Sequence, residues 1–436
     1  MNICVFGLWH LGTVIAACMA RKGFNVIGLD FDEDNVSKLN NGHLPVYEPG
    51  LEELLKNNIE NKNLYFTSDP AEALKNADVL WISFDTPVDE DDRADVDFVE
   101  ERILSVIGLL REDAKVVISS QVPVGFTGSI EKICADRFPD NNIIFACSPE
   151  NLRLGKAIQV FENPDRIVIG VRKPEHIDAL KHIFLPVSDR LEWMSTESAE
   201  MTKHAINAFL ATSVVFANEI ASLCEYVGAN AKEVERGLKS EERIGPKAYL
   251  GPGAAFAGGT LARDINFLIN IGQTYNAQTG FFKAIKESNN YHKSWIKRKC
   301  EEYMEDMKGR KIAVLGLTYK PGTNTLRRSW AVELCEWLYE RGAVIKAFDP
   351  NIESLPDNLN KIVLLGTSIQ ETIKDTDCIV IATEHPVFRE LDRNIIQSMK
   401  NKIMIDANGF LEKIVSQYKD IRYCAVGRKT NESGKT

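Results

Sequence analysis

The sequence contains no apolar run approaching the roughly 20 residues needed to span a bilayer. It has no CxxC pair and no excess of basic charge. Lys and Arg number 52 against 62 Asp and Glu, for a net charge of −10. An acidic chain has no overall pull towards nucleic acid or an anionic membrane, although a local pocket of cations and backbone N–H groups can still hold an anion. The nine cysteines (Cys4, Cys18, Cys134, Cys147, Cys224, Cys300, Cys335, Cys378 and Cys424) are scattered and odd in number. This argues against a disulfide framework or a zinc site, and for reduced thiols that are mostly small buried residues. Met1 to Gly7 lack the charged segment and cleavage site of a signal peptide. These absences predict a cytoplasmic protein with no metal, and with neither nucleic acid nor membrane as partner.

What is present is an ordinary globular composition, 44% hydrophobic and 26% charged, over 436 residues. That length is too great for one core and predicts two or three domains. Short apolar runs alternate with helical patterns at the start: Ile3–Phe6, Asn25–Asp30, Val79–Phe84, Lys115–Ser119 and Asn142–Cys147 read as strands. Leu11–Arg21 reads as a helix. Strands separated by helix-length segments imply βαβ units and a parallel sheet. From about Thr196 to Met307 the pattern turns helical; Glu197–Val227 and Phe281–Met307 are long stretches of this kind. A long helix with an apolar stripe needs a cover, which predicts a homodimer through this region. The opening theme then returns in Lys311–Leu317, Ala343–Asp349, Lys361–Leu365, Asp377–Ala382 and Lys402–Asp406. The expected fold is therefore α/β: two Rossmann-like, doubly wound parallel-sheet domains (1–195 and 308–426) joined by a long central helical region (196–307). Residues 427–436 are expected to form a disordered tail.

Gly7-Leu8-Trp9-His10-Leu11-Gly12 follows a strand and opens a helix, and Asp30 ends the next strand. That context makes a glycine pattern a dinucleotide site. Gly7 permits the turn, and Gly12 lets helix and strand approach. The helix N-terminus offers N–H groups to a pyrophosphate. Asp30 would accept the ribose hydroxyls and repel a 2′-phosphate, which favours NAD. Trp9 stands where a middle glycine is usual, so its side chain must point away or binding is altered. His10 is read as a loop residue near the cofactor.

Several motifs, in order along nearly the whole chain, resemble one family. They are Asn41–Leu51, Asp85-Thr86-Pro87, Val122-Pro123-Val124-Gly125 and Ser148-Pro149-Glu150-Asn151-Leu152. They continue with Ala199-Glu200, Lys203 and Asn207, then Arg243-Ile244-Gly245, Phe256–Asp264, and Tyr319–Thr323 with Arg327 and Ser329. The chain resembles the UDP-glucose and GDP-mannose dehydrogenases. The resemblance implies an N-terminal NAD domain, a central helical dimer element and a C-terminal nucleotide-sugar domain. It also implies oxidation of a sugar C6 alcohol to a carboxylate in two hydride transfers, with a cysteine thiolate trapping the aldehyde. A UDP-sugar is the favoured substrate.

Lys203 and Asn207 lie four residues apart and share a helix face. An amine and an amide converging on a sugar hydroxyl suit a developing alkoxide, and the resemblance gives them that role. Asp264 resembles the supporting aspartate, and Glu150 a general base for water. Arg243 resembles an arginine that reaches substrate from the neighbouring subunit. Asn151, Leu152, Tyr249, Gly253, Phe256 and Lys320 resemble substrate contacts. Leu8, Leu11, Thr86, Gln121 and Arg327 join the glycines, His10 and Asp30 around the cofactor. Thr260, however, takes the place of the catalytic cysteine, and a threonine hydroxyl does not ionise readily near neutral pH. Gln121, Leu154 and Arg263 also depart from the pattern, and the arginine expected after Asp406 is missing. Such a cluster predicts NAD-dependent oxidation that halts at, or changes after, the aldehyde. A catalytically silent nucleotide-sugar-binding relative, and an NAD oxidoreductase acting on another carbon or another nucleotide sugar, are the alternatives.

Overall fold

The alternation in the first strand decides the first layer. Ile3 and Val5 point into one apolar core, while Cys4 and Phe6 point into a second. A strand buried on both faces must therefore be covered by helices on both faces. In this computed structural model, which describes residues 1–89, 93–139, 141–150, 152–256, 259–319, 321–327 and 329–429, the first sheet has eight strands. They are β1 (Asn2–Phe6), β2 (Asn25–Leu29), β3 (Leu64–Thr67), β4 (Val79–Ile82), β5 (Lys115–Ile118), β6 (Ile144–Cys147), β7 (Ile167–Val171) and β8 (Leu191–Met194). Their order is β3-β2-β1-β4-β5-β6-β7-β8. The first six are parallel, with Phe6 opposite Leu29 on one side and Ile82 on the other.

The sheet is parallel, as expected, except at β7, which pairs antiparallel with β6. Only the short Ala157–Glu162 helix lies between β6 and β7. The strands β3, β7 and β8 were not expected from the sequence.

The second sheet repeats the logic. Ile312 and Val314 enter one core, and Ala313 and Leu315 another. Its strands are β9 (Lys311–Leu315), β10 (Val344–Phe348), β11 (Val363–Leu365), β12 (Cys378–Ile381), β13 (Ile403–Asp406) and β14 (Arg422–Cys424). They are ordered β11-β10-β9-β12-β13-β14 and are parallel throughout. The α/β fold with two Rossmann-like sheets and a long helix between them in sequence is as expected.

The middle of the chain carries that long helix, Thr196–Val227, followed by helices Ala231–Ser240, Thr260–Thr274, Gly280–Lys293 and Trp295–Met304. The stretch expected to run from Phe281 to Met307 is two helices broken at Ser294, a residue type that favours helix ends over helix interiors. An 18-residue window of the Thr196–Val227 helix has mean hydropathy 1.4, and 44% of that window is buried. Length and composition alone would let this helix cross a membrane, a property that an inspection for uninterrupted apolar runs passes over. The chain divides into two compact units, Met1–Ile206 and Asn207–Thr436. Gly427, expected in the tail, is held at both backbone groups: its N–H donates to Glu225 Oε1 at 3.1 Å, and its carbonyl accepts from the Ala231 N–H at 3.0 Å. Residues 430–436 lie outside the described residues.

Candidate functional site

In the first unit, the turn after β1 has the shape its glycines dictate. Gly7 adopts φ +98°, and a Cβ there would meet the Phe84 ring at 2.7 Å. A Cβ on Gly12 would lie 1.8 Å from the Gly7 carbonyl oxygen, so the helix His10–Arg21 packs on the turn only with glycine at that position. Trp9 has φ −84° and is 44% exposed. The middle position is therefore not in the left-handed region, and its side chain reaches solvent. His10 is not a loop residue. It is the first residue of the helix, and its Nε2 lies 2.8 Å from Glu48 Oε2.

Asp30 follows β2 directly. Its Oδ2 accepts the Leu8 N–H at 2.7 Å, and its Oδ1 accepts the Asp32 N–H at 3.1 Å. Leu8 is buried and Leu11 half-buried. Thr86 donates through Oγ1 to the Gln121 carbonyl at 2.7 Å, joining the loops after β4 and β5. A helix N-terminus, a turn that is bare at Gly7 and Gly12 and an acid at the next strand end form a cradle suited to a dinucleotide.

Glu150 and Lys203 also belong to this unit. Lys203 Nζ donates to the Glu150 carbonyl at 2.6 Å. Glu150 and Leu152 line a small cavity of about 50 Å³ together with Trp81 and Phe161. Asn151 lies outside the described residues.

Two buried acids here were not singled out by sequence reasoning. Glu200 accepts the Gly125 N–H (2.6 Å), the Thr127 N–H (2.9 Å) and the Thr127 hydroxyl (2.7 Å). It ties the long helix to the start of the Phe126–Arg137 helix. Burial raises its carboxyl above the usual range despite these donors. Glu48 is 1% exposed and accepts the Gly155 and Ala157 N–H groups, each at 2.8 Å, besides His10. Burial pushes its carboxyl up, but His10 and the two N–H groups outweigh this and hold it below the usual range. The only signal in the sequence was that Glu48 and Glu200 fell inside the family-like motifs.

In the second unit, Asn207 donates through Nδ2 to Asp264 Oδ2. Asn207 is 5% exposed and Asp264 fully buried. Asp264 lies in the second turn of the Thr260–Thr274 helix, which begins after Gly259 at φ +99°. Thr260, its first residue, is exposed. Phe256 packs into the apolar cluster containing Ala208, Val215 and Ile265. Gly253 is buried. Tyr249 is 62% exposed. Arg243 is largely exposed and pairs with Glu241 at 2.8 Å. Arg327 is exposed, with its N–H donating to Thr325 Oγ1 at 3.3 Å. Lys320 lies outside the described residues. None of the nine cysteines forms a disulfide, and all are buried. Burial pushes thiols such as Cys18 and Cys300 up to about 12, so they are poor nucleophiles.

Comparison with known proteins agrees with this arrangement. Residues 1–188 match the NAD binding domain of the UDP-glucose/GDP-mannose dehydrogenase family, residues 197–291 its central domain and residues 313–413 its UDP binding domain. The chain is 37% identical to UDP-glucose 6-dehydrogenase of Rickettsia conorii over 98% of its own length and 100% of that protein's. It is 32% identical to UDP-glucose 6-dehydrogenase TuaD of Bacillus subtilis, covering 98% of the chain and 93% of the relative. The structure of a UDP-glucose dehydrogenase from Pyrobaculum islandicum superposes with TM-score 0.86 at 31% identity, covering 93% of each chain. The chain belongs to the UDP-glucose/GDP-mannose dehydrogenase family and is an NAD-dependent nucleotide-sugar dehydrogenase.

Proposed function

We propose that the chain oxidises the C6 alcohol of a UDP-hexose and releases the aldehyde, or its hydrate, after one hydride transfer. NAD⁺, when bound, accepts the hydride that leaves C6. Lys203 and Asn207, one turn apart on the Thr196–Val227 helix, donate to the C6 oxygen as its hydroxyl proton passes to solvent water and it gains negative charge. The Lys203 ammonium is held by the Glu150 carbonyl, and the Asn207 amide is held by Asp264, so neither must reorganise during reaction. Asn151, Leu152, Arg243 of a second subunit, Tyr249, Gly253, Phe256 and Lys320 bind the nucleotide sugar, and Arg327 reaches the cofactor.

The observation that carries the reading is the buried Asn207–Asp264 pair. A carboxylate that accepts from the amide nitrogen leaves the amide's second N–H to serve a ligand. Thr260 stands in the place of the family's cysteine, and among the nine thiols none is exposed to take over. Further oxidation then requires the hydrated aldehyde, with Glu150 or Asp264 as base, and is slow. Nine cysteines outside any disulfide fit a cytoplasmic working place.

Phe209, Phe216 and Leu223 recur at seven-residue spacing on the long helix and are 71%, 45% and 60% exposed. Such a seam supports a homodimer. The test of function is to incubate the protein with NAD⁺ and UDP-glucose, with GDP- and CDP-sugars in parallel, and to count NADH per sugar consumed. A ratio of one supports the reading; a ratio of two with covalent trapping overturns it. Thermal stabilisation by UDP-glucose with no NADH produced would likewise overturn it.

A further inference from the structure

The connection Gly253–Phe256 belongs to neither helix nor strand, so its peptide groups need partners from elsewhere. Those partners are side chains. Gly253 N–H donates to Asn218 Oδ1 at 2.9 Å, and Asn218 Nδ2 donates to the Ala254 carbonyl at 3.4 Å. His292 Nε2 donates to the Gly253 carbonyl at 2.8 Å. Ala254 N–H donates to Asn408 Oδ1 at 2.7 Å. Asn289 holds both groups of Phe256, accepting its N–H at 3.0 Å and donating to its carbonyl at 2.9 Å. Asn218, Asn289 and His292 are 3%, 2% and 7% exposed. Burial pushes the His292 imidazole below its usual range, so it is a neutral N–H donor here. All these groups belong to residues 207–436.

Burying three polar side chains to hold four residues is costly unless every bond is made. The return is a loop whose backbone is fixed by side chains from three separate elements. Asn408 adds a second observation. It lies two residues after Asp406, in the segment that lacks the arginine the family resemblance leads one to expect. Arginine has no acceptor and could not take the Ala254 N–H. The fit is also tight, since a Cβ on Gly253 would lie 2.2 Å from Asn408 Oδ1.

We propose that Asn218, Asn289, His292 and Asn408 are positioning residues that set the sugar-facing loop Gly253–Phe256, with Asn408 supplying the acceptor that fixes Ala254. The inference rests on the sugar-binding reading of that loop. The test uses the full chain and the variants Asn289→Ala and Asn408→Arg. Amide hydrogen exchange of residues 253–256 is read first, without turnover. Exchange of Phe256 rises in Asn289→Ala and that of Ala254 in Asn408→Arg, with the strands β9, β12 and β13 as protected as in the native chain. The KM for UDP-glucose then rises about tenfold, the expected effect of one lost buried hydrogen bond, while the KM for NAD⁺ stays within about twofold.

Unchanged loop exchange in both variants overturns the proposal. So does an equal change in both KM values, because that is what general loosening of the fold would cause. If Asn289→Ala does not fold, Asn408→Arg decides, its side chain being at the surface. A native chain that makes no NADH from UDP-glucose refutes the enzymatic reading. The cage is then judged from loop exchange and from calorimetric binding of UDP-glucose.

Discussion

Replacing Thr260 by cysteine tests whether the nucleophile is the missing part. Thr260 opens a 15-residue helix with no acidic residue in its first turn, so the helix N-terminus stabilises a thiolate there. A free thiol titrates near 8.5, and a helix terminus contributes roughly 0.3–2 kcal/mol, or about 0.2–1.5 pH units. The new thiol is therefore expected to titrate between about 7.0 and 8.3. At pH 7.5 its ionised fraction rises from about one tenth to between about one seventh and three quarters. The assay is clean because all nine native cysteines are buried. A thiol reagent should label the native chain hardly at all and Thr260→Cys once per chain, with a rate that follows the thiolate fraction across pH. NADH formed per UDP-glucose should move from one towards two, with a covalent sugar adduct on the new cysteine. A variant thiol that titrates at or above 8.5, or a native chain that already yields two NADH, would refute the reasoning.

Other consequences follow from the same geometry. Gly12→Ala places a Cβ 1.8 Å from the Gly7 carbonyl oxygen and should abolish NAD⁺ binding in a fluorescence titration; native affinity would contradict the turn assigned here. Asp264→Ala leaves the Asn207 amide without its holder and should lower kcat on the order of 10²-fold with little change in KM for NAD⁺, read by steady-state kinetics. Glu48→Gln should cost about 1–3 kcal/mol at neutral pH, measured by denaturant unfolding. Because the folded carboxyl lies below its ordinary 4.5, its contribution is fully present above that value and is lost as pH falls through the lower folded value. The gap between native and variant should therefore close in acid. Phe209→Glu with Phe216→Glu puts charge in the exposed seam and should convert a dimer to monomer in sedimentation velocity.

Much of this protein was legible without coordinates wherever the information is local. The alternation Ile3-Cys4-Val5-Phe6 feeds two cores and marks a strand covered on both faces. The Gly7–Gly12 turn and Asp30 belong to one strand–helix–strand unit, so their meeting follows from topology. Lys203 and Asn207 share a face because a helix turn sets their spacing.

What was not legible depends on partners distant in sequence. Glu48 is bonded 107 and 109 residues away, and Glu200 73 and 75 residues away. The Asn408 contact with Ala254 spans 154 residues. No periodicity encodes such pairs; packing alone decides which buried donor meets which acceptor. The reversal at β7 was hidden for a related reason, since strand direction depends on how a connection crosses the sheet and not on the strand's own residues. The sequence by itself thus determined the two sheets, the cofactor turn and the family, because these rest on short-range sterics and apolar period. Only the tertiary structure decided which buried side chains hold the turn, the helix start and the Gly253–Phe256 loop, because a hydrogen bond a hundred residues long in sequence exists only once the cores have closed around it.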